Sequence, residues 1–264
     1  EQHAIGMAAG MAKNGIIPVV PIYSSFLQRA YDQLVHDVAI QNLPVVICAD
    51  RAGIVGNDGE THQGLLDMAF TNTIPNFTIM APKDFSELES MMEFSIDLKK
   101  PVLLRYPRGG EEITFDSCEK IEFGKAEVIE KGNDLTIVAI GKMVARAKEV
   151  SDLLKEDGIT ANVINARFLK PFDEKTLIDN MSNIIVTIED GTIIGGLGSK
   201  VEEVLYKNKL NKKVEKFAYP DEFVKHGSVK EIEEQYGLDA KNIVSTIKDI
   251  MQISKIKNIG GQIG

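Results

Sequence analysis

The stretch of sequence that decides the fold is LPVVICADRAGIVGNDGETHQG, residues 43–64. Its first seven residues are apolar and predict a buried strand of a parallel sheet. The next fifteen residues hold four glycines, an arginine, carboxylates and a histidine, and a polar connection of this length is typical of a functional loop. Glycine lets a backbone approach a ligand, Arg51 offers a forked donor for an anion, and His62 can exchange protons near neutrality. A glycine-rich surface loop with solvated charges is the alternative interpretation of the same residues.

Strand and helix patterns alternate along the rest of the chain. Apolar runs predict strands at residues 16–22, 44–49, 77–80, 101–105, 135–140, 160–165, 184–189 and 214–218. Helical spacing predicts helices at residues 4–12, 26–41, 63–71, 84–99, 143–156, 174–180, 199–207, 228–236 and 240–251. Ser228 and Glu231 have the spacing of a capping box. The alternation predicts right-handed βαβ units and an α/β fold of two domains with mainly parallel sheets, the second compatible with a reversed edge strand.

The predicted domains meet at a polar stretch without periodicity. We assign residues 1–115 to a first domain, 116–125 to a linker, 126–252 to a second domain and 253–264 to a flexible tail. The sequence starts within a helical pattern and without a methionine, so we expect a fragment of a longer protein with further sequence upstream.

Composition narrows the class of protein. A net charge of −9 argues against nucleic acid as the main partner. No apolar stretch approaches the roughly 18 residues needed to cross a bilayer, and no basic segment precedes an apolar one at the N-terminus. Two cysteines make no disulfide framework, and Cys48 within a predicted strand indicates a buried thiol. We therefore expect a cytoplasmic protein with no membrane partner.

Several polar and aromatic residues follow the predicted strands of the first domain. In open α/β sheets, ligands bind beyond the carboxyl ends of the strands. Tyr23 and Phe26 follow the first strand, residues 51–62 follow the second, and residues 105–108 follow the last. The aromatic side chains could offer a stacking surface, Arg51 and Arg108 could clamp a phosphate or carboxylate, and His62 could carry a proton. Each residue alone is more often structural, and their convergence on one edge favours a site.

Other familiar sites are absent or weak in the sequence. There is no GxxxxGK[ST] phosphate loop, and no cluster has metal-ligand spacing. The glycines at 195–198 lack dinucleotide-binding spacing and predict a packed turn from strand to helix, with contact to a partner subunit as the alternative. His36 is interpreted as a helix histidine near Asp32, and His226 as local structure, while His3 is ambiguous.

Five segments carry a resemblance to a known family: EQHA at 1–4, YSSFLQRAYDQ at 23–33, DRAG at 50–53, DGETHQG at 58–64 and RYPRG at 105–109. They resemble the 1-deoxy-D-xylulose-5-phosphate synthases, thiamine diphosphate enzymes of the transketolase group. The resemblance extends to about residue 251 and implies a pyrimidine-binding domain followed by a transketolase C-terminal domain.

The resemblance implies a cofactor side of the site. Glu1 matches the carboxylate that contacts the aminopyrimidine ring of thiamine diphosphate and acts in catalysis, and Phe26 matches the aromatic residue stacked on that ring. Arg29 matches another arginine near this cleft, on the substrate side. The family holds the diphosphate and Mg²⁺ through a GDG…N motif in an N-terminal domain, and Gly-Asp-Gly does not occur in this sequence.

The resemblance also implies a substrate side. Tyr23, Arg51 and Arg108 match residues that hold the phosphate of the acceptor. Asp58 and His62 match polar residues that face donor and acceptor, with His62 as the catalytic candidate for proton transfer. The sequence departs from the family at positions 57 and 60, where asparagine and glutamate replace the smaller or apolar residues expected, and this affects local loop shape.

The implied reaction condenses pyruvate with D-glyceraldehyde 3-phosphate, with loss of CO₂, to 1-deoxy-D-xylulose 5-phosphate, the first step of non-mevalonate isoprenoid synthesis. The implied partner is the missing N-terminal half of the same enzyme, in a homodimer. We expect the chain alone to be inactive. Transketolase, the beta component of a 2-oxo acid dehydrogenase, and a non-catalytic dimerisation fragment remain as alternatives.

Overall fold

The computed structural model describes residues 1–111, 113–115 and 120–260 of the chain. Cys118, residues 116–119 of the predicted linker and residues 261–264 of the predicted tail lie outside the described residues.

The strands form two sheets. In chain order they are β1 (Val19–Tyr23), β2 (Val46–Asp50), β3 (Thr78–Met80), β4 (Val102–Arg105), β5 (Glu127–Glu130), β6 (Leu135–Ala139), β7 (Ala161–Asn165), β8 (Phe168–Lys170), β9 (Ile184–Thr192) and β10 (Lys213–Tyr219). The first sheet has the order β1-β2-β4-β3-β8, and the second has the order β10-β9-β6-β7-β5.

The helices cover these sheets. They are α1 (Gln2–Lys13), α2 (Ser24–Leu27), α3 (Tyr31–Gln33), α4 (Asp67–Asn72), α5 (Phe85–Leu98), α6 (Met143–Glu156), α7 (Glu174–Asn180), α8 (Leu197–Lys207), α9 (Val229–Gln235) and α10 (Ala240–Gly260). Among the helices of the described ranges, none has both the length and the hydropathy that a membrane span requires.

Both sheets are mainly parallel, as predicted. Strands β1, β2, β3 and β4 run parallel to one another, and so do β6, β7, β9 and β10. Each sheet ends in one antiparallel strand, β8 against β3 and β5 against β7. β2 and β4 are buried almost throughout because helices cover both faces of the sheet, and this burial explains the continuous apolar run at residues 43–49.

The elements begin and end where the sequence supplies caps. Asp84 accepts a hydrogen bond from the backbone N–H of Glu87 at 2.7 Å and starts α5. Ser228 and Glu231 form the predicted capping box of α9. Gly15 follows α1 with φ of +88°, a conformation that favours glycine.

The structure differs from the predicted elements in several places. The helix predicted over residues 26–41 is a series of short turns: α2, a 3₁₀ turn (Gln28–Ala30), α3 and a π-helical turn (Leu34–Ala39). The helix predicted from residue 63 begins at Asp67, because the loop continues through Gly64. β5 and β8 were not predicted, since strands of four and three residues carry little periodicity. The backbone of α10 continues to Gly260, beyond the predicted end at residue 251.

A buried ionic network joins the two halves of the chain. Lys83 lies 2.6 Å from the Glu127 carboxylate, and Arg167 lies 2.6 Å from that of Glu87. Arg167 also lies 3.3 Å from Glu127, and the amide of Asn165 donates to both carboxylates at 3.1 Å. The four charged side chains are at most 7% exposed. Together with β8, which adds to the first sheet, this network fixes the second half against the first.

Candidate active site

The loop after β2 is ordered by backbone hydrogen bonds at its base. Gly53 and Gly64 exchange N–H···O bonds of 2.8 and 2.7 Å, which close residues 53–64 into a loop. A Cβ at Gly64 would lie 2.8 Å from the Arg51 carbonyl oxygen, so the close approach requires glycine there. The backbone N–H of Ala52 donates to the carbonyl of Tyr106 at 3.0 Å, which ties the loop to the segment after β4.

Three rings form an aromatic cluster at the end of β1. The ring centroids of Tyr23 and Phe26 are 5.0 Å apart, and those of Tyr23 and His62 are 5.5 Å apart. His62 meets Phe26 at 5.2 Å, edge to face. All three side chains are half-buried, so one face of the cluster is open to a ligand.

Charged groups surround Tyr23. Its hydroxyl donates to Asp58 at 2.9 Å, and the guanidinium of Arg51 lies 4.9 Å from its ring centroid. Arg108 lies 3.6 Å from the other oxygen of Asp58. Burial, followed by the bond to the Asp58 carboxylate, raises the pKa of Tyr23 to about 12. Tyr23 therefore keeps its proton and acts as a donor at neutral pH.

Glu1 and Arg29 extend the cluster on its other side. The Arg29 guanidinium lies 4.4 Å from the centroid of the Phe26 ring and 3.3 Å from the Glu1 carboxylate. Both partners of this pair are accessible, at 56% and 28% exposure. A carboxylate, a cation and an aromatic face are thus adjacent at the start of α1.

The eight predicted site residues form one connected group of contacts, reaching from Glu1 to Arg108. They come from the start of α1, the end of β1 and the short turns that follow it, the loop after β2 and the segment after β4. The carboxyl ends of parallel strands meet at one edge of a sheet, and this geometry gathers residues that are distant in sequence.

Arg105, which the sequence placed with these residues, lies elsewhere. Its side chain is 3% exposed, and its Nε donates to both oxygens of Asp67 at 3.0 and 2.9 Å. Its terminal nitrogen donates to the carbonyls of Gly64 and Asp190. Arg105 therefore stabilises the base of the loop and does not face a ligand.

Two residues of the loop have contacts that the sequence did not predict. Thr61 Oγ1 lies 2.8 Å from Nδ1 of His62, which leaves Nε2 as the ring nitrogen for proton exchange. The Gln63 side chain accepts from the N–H of Val55 at 2.9 Å and donates to the carbonyl of Lys225 at 3.2 Å. Both lie within the quoted stretch, but no pattern distinguishes them from their neighbours.

The remaining residues singled out from the sequence have structural surroundings. The glycine turn at 195–198 is packed, since a Cβ at Gly196 would lie 2.0 Å from the Glu189 carboxylate. Glu189 is fully buried and accepts from the N–H groups of Leu197 and Gly198 at 2.8 and 2.9 Å. Burial raises its pKa to about 7. His36 pairs with Asp32 at 2.9 Å, as expected for a helix histidine, and Cys48 is buried and free.

A cleft of about 810 Å³ lies beside the aromatic cluster. Its walls include Ser24 and Thr61 from the first half of the chain and Phe223 from the second. The Ser24 hydroxyl is buried there without a hydrogen-bond partner among the described residues.

Family comparisons divide the chain as the fold does. Residues 1–110 match the pyrimidine-binding domain of transketolase, and residues 124–243 match the transketolase C-terminal domain.

Two curated relatives that are similar to the chain have the same name. A 1-deoxy-D-xylulose-5-phosphate synthase of Natranaerobius thermophilus is 45% identical over 262 residues, which is 97% of this chain and 42% of that protein. The protein of that name from Heliobacterium modesticaldum is 46% identical over 254 residues, 95% of this chain and 39% of that protein. The chain therefore spans about two fifths of the length of these relatives, at 42% and 39%.

Solved structures agree in fold. A structure described as "Split gene transketolase, inactive beta4 tetramer" superposes with a TM-score of 0.88 at 31% identity, covering 96% of this chain and 82% of the other. A transketolase from Campylobacter jejuni superposes with a TM-score of 0.77 at 19% identity, covering 94% of this chain and 38% of the other, a likeness of fold alone.

Proposed function

The chain belongs to the transketolase family, and we propose that it carries the substrate side of a thiamine diphosphate-dependent 1-deoxy-D-xylulose-5-phosphate synthase. The proposed reaction joins pyruvate to D-glyceraldehyde 3-phosphate with loss of CO₂. The observation that carries the proposal is the single connected cluster of eight side chains at one sheet edge, which offers two carboxylates, two aromatic rings, three arginines and a histidine. The name of the curated relatives at 45% and 46% identity supports the same assignment.

The residues present suit the aminopyrimidine part of thiamine diphosphate. Glu1 offers a carboxylate that can accept from a ring N–H, and Phe26, half-buried 5.0 Å from Tyr23, offers a face for stacking. When bound, thiamine diphosphate supplies the electron sink that lets pyruvate lose CO₂. Glu1 would orient and polarise the ring from the start of α1. Diphosphate and Mg²⁺ need further ligands, and within the described ranges no group of histidine, cysteine and carboxylate side chains could hold a metal ion.

The phosphate of the acceptor would bind between Arg51 and Arg108. The Arg51 guanidinium lies 4.9 Å from the centroid of the Tyr23 ring and that of Arg108 lies 3.6 Å from Asp58, and the Tyr23 hydroxyl, whose pKa is raised to about 12, is a further donor. A phosphate dianion accepts charge-assisted hydrogen bonds from such donors. Arg108 would exchange its pairing with Asp58, at 3.6 Å, for the phosphate. Arg29 would add positive charge beside the ring of Phe26.

His62 would hold the proton that the acceptor carbonyl needs. Thr61 occupies Nδ1 at 2.8 Å, so a Thr61 hydroxyl that donates there keeps the proton on Nε2. The edge contacts with Tyr23 and Phe26, at 5.5 and 5.2 Å between ring centroids, would hold the imidazole in place within the cluster. Asp58 would orient the substrate hydroxyl groups through its free lone pairs.

The proposed working enzyme is a cytoplasmic homodimer in which a GDG-containing domain supplies the diphosphate and Mg²⁺ site. The tetramer named for the split-gene transketolase structure supports assembly of such chains. We propose that the chain alone does not turn over substrate, because that domain's sequence motif is absent from it.

A substrate panel tests the assignment. The chain would be combined with the diphosphate-binding domain of a 1-deoxy-D-xylulose-5-phosphate synthase, thiamine diphosphate and Mg²⁺, and given pyruvate with glyceraldehyde 3-phosphate, a ketose phosphate donor, or pyruvate with a lipoyl acceptor. We expect product only with the first pair, and none from the chain alone. Use of the ketose donor or a requirement for lipoyl would overturn the assignment, and turnover by the isolated chain would overturn the proposed division of the site.

A further inference from the structure

The substrate-facing loop rests on the C-terminal domain. Ile54 N–H donates to Oδ1 of Asp190 at 3.2 Å, across 136 residues of sequence. Asp190 is 1% exposed, and its other oxygen pairs with Lys142 at 3.0 Å. A buried carboxylate paired with an ammonium group is a rigid acceptor, because moving it would leave a buried charge unpaired.

The fit between the loop and Asp190 depends on a glycine. Gly53 has φ of +79°, and a Cβ built there would lie 1.6 Å from Oδ2 of Asp190. Gly53 is also the residue that closes the base of the loop against Gly64. The backbone at Gly53 and Ile54 therefore closes the base of the loop and also bonds to the second domain.

Further contacts hold the adjoining part of the loop. Val55 N–H is bonded to Gln63, which in turn donates to the carbonyl of Lys225. A Cβ at Gly56 would lie 2.9 Å from the carbonyl of Gly227, so the loop backbone lies against the segment that precedes α9. Asp58 lies two residues further along the chain, where it contacts Tyr23 and Arg108 of the first domain.

We propose that Asp190 is a positioning residue for the substrate-facing loop: it fixes the backbone at Gly53 and Ile54 and so sets where Asp58 and His62 lie. The inference rests on the proposed function for the roles of Asp58 and His62. The C-terminal domain contributes none of the eight site residues, but through Asp190 it would affect the geometry of the site. Asp190 touches no substrate and acts through the loop.

The test compares three variants by amide hydrogen exchange of residues 53–64. Asp190→Ala removes the acceptor, Asp190→Asn leaves one oxygen to be shared between Ile54 and Lys142, and Glu233→Gln is the matched control. Glu233 pairs with the same Lys142 at 3.4 Å. We expect exchange at Ile54 to become about tenfold faster in Asp190→Ala, about threefold faster in Asp190→Asn, and unchanged in Glu233→Gln.

A second readout follows the site itself. In Asp190→Ala, a loop that moves away from its position should separate Asp58 from Tyr23. The pKa of Tyr23 should then fall from about 12 toward its ordinary value of 10.0. Tyrosine carbon shifts in NMR, assigned with Tyr23→Phe, measure this titration.

Equal exchange at Ile54 in Asp190→Ala and Glu233→Gln would overturn the proposal, and so would an unchanged Tyr23 titration. If Asp190→Ala does not fold, Asp190→Asn against Glu233→Gln decides, since each removes one charge beside Lys142 but only Asp190 accepts the hydrogen bond from the N–H of Ile54. Neither amide hydrogen exchange nor the Tyr23 titration requires turnover. Failure of the substrate panel would therefore leave this test valid, and success of the panel would not replace it.

Discussion

The buried carboxylate of Glu189 should make the chain less stable as the pH rises from 5 to 8. The group lies at the N-terminus of α8, bonded to two backbone N–H groups, and burial raises its pKa from 4.5 to about 7. The folded chain therefore keeps this proton up to about pH 7, whereas the unfolded chain releases it above 4.5. Because the native state binds more protons in this interval, the free energy of unfolding falls with rising pH.

The size of the effect follows from the two pKa values. A difference of this size between folded and unfolded states corresponds to a loss of about 2 to 3 kcal/mol between pH 5 and pH 8. Glu189→Gln removes the titration and keeps one acceptor, at the expense of one hydrogen bond worth about 1 kcal/mol. The variant should therefore be close to or slightly below wild type in stability at pH 5 and more stable at pH 8.

Urea denaturation followed by circular dichroism at pH 5, 6, 7 and 8 tests whether the stability curves of Glu189→Gln and wild type cross in this interval. Glu202→Gln is the matched control, since Glu202 lies on the same helix at 48% exposure and pairs with Lys216. Its stability curve should run parallel to that of wild type. Parallel curves for Glu189→Gln and wild type would refute the reasoning, because the buried carboxylate would then contribute no proton linkage.

Three further changes test the site and the core. Thr61→Val should lower the fraction of His62 protonated on Nε2, because Nδ1 loses its 2.8 Å partner, and ¹⁵N shifts of the imidazole at pH 8 measure it. Arg108→Gln should weaken binding of inorganic phosphate about tenfold, since one charge-assisted donor is lost, as measured by calorimetry. Arg167→Met should lower the free energy of unfolding by about 3 to 5 kcal/mol, as measured in urea, because the buried carboxylates of Glu87 and Glu127 are left to share the ammonium group of Lys83.

Each of these changes has a matched control. Thr61→Ser keeps the hydroxyl and should restore the imidazole shifts. Lys207→Gln removes a cation that is 64% exposed and should leave phosphate binding as in wild type. Lys175→Met breaks an exposed pair and should leave stability unchanged within error. Any variant that matches its control contradicts the corresponding prediction.

The fold was predictable in large part because its central strands are buried on both faces. For that reason β2 and β4 are continuous apolar runs in the sequence. The helices between the strands give the alternation of strand and helix patterns along the chain. β8 was missed, because three residues from the second half complete a sheet of the first, and local sequence carries no sign of so distant a pairing. The series of turns from Ser24 to Ala39 was predicted as one helix, since its apolar spacing does not reveal where the hydrogen-bond pattern changes.

The site was predictable to the extent that sheet topology gathers strand ends. Tyr23 and Arg108 meet through Asp58 because β1 and β4 end at one edge. Arg105 was placed there wrongly, for its partner Asp67 is 38 residues away and the carbonyl of Asp190 is 85 away. A strand-end arginine and a buried structural arginine look the same in sequence until their partners are known. Asp190 was missed for the same reason, since its bond to the loop joins two domains.

The most direct test of the central claim is an NMR titration of the labelled chain with glyceraldehyde 3-phosphate. The claim is that one cluster at the edge of the first sheet receives the phosphorylated acceptor. We predict that signals of Tyr23, Arg51, His62 and Arg108 shift together along one saturation curve, and that Arg108→Gln weakens all of them. Shifts scattered over unrelated surfaces, or separate affinities for Tyr23 and Arg108, would contradict the account.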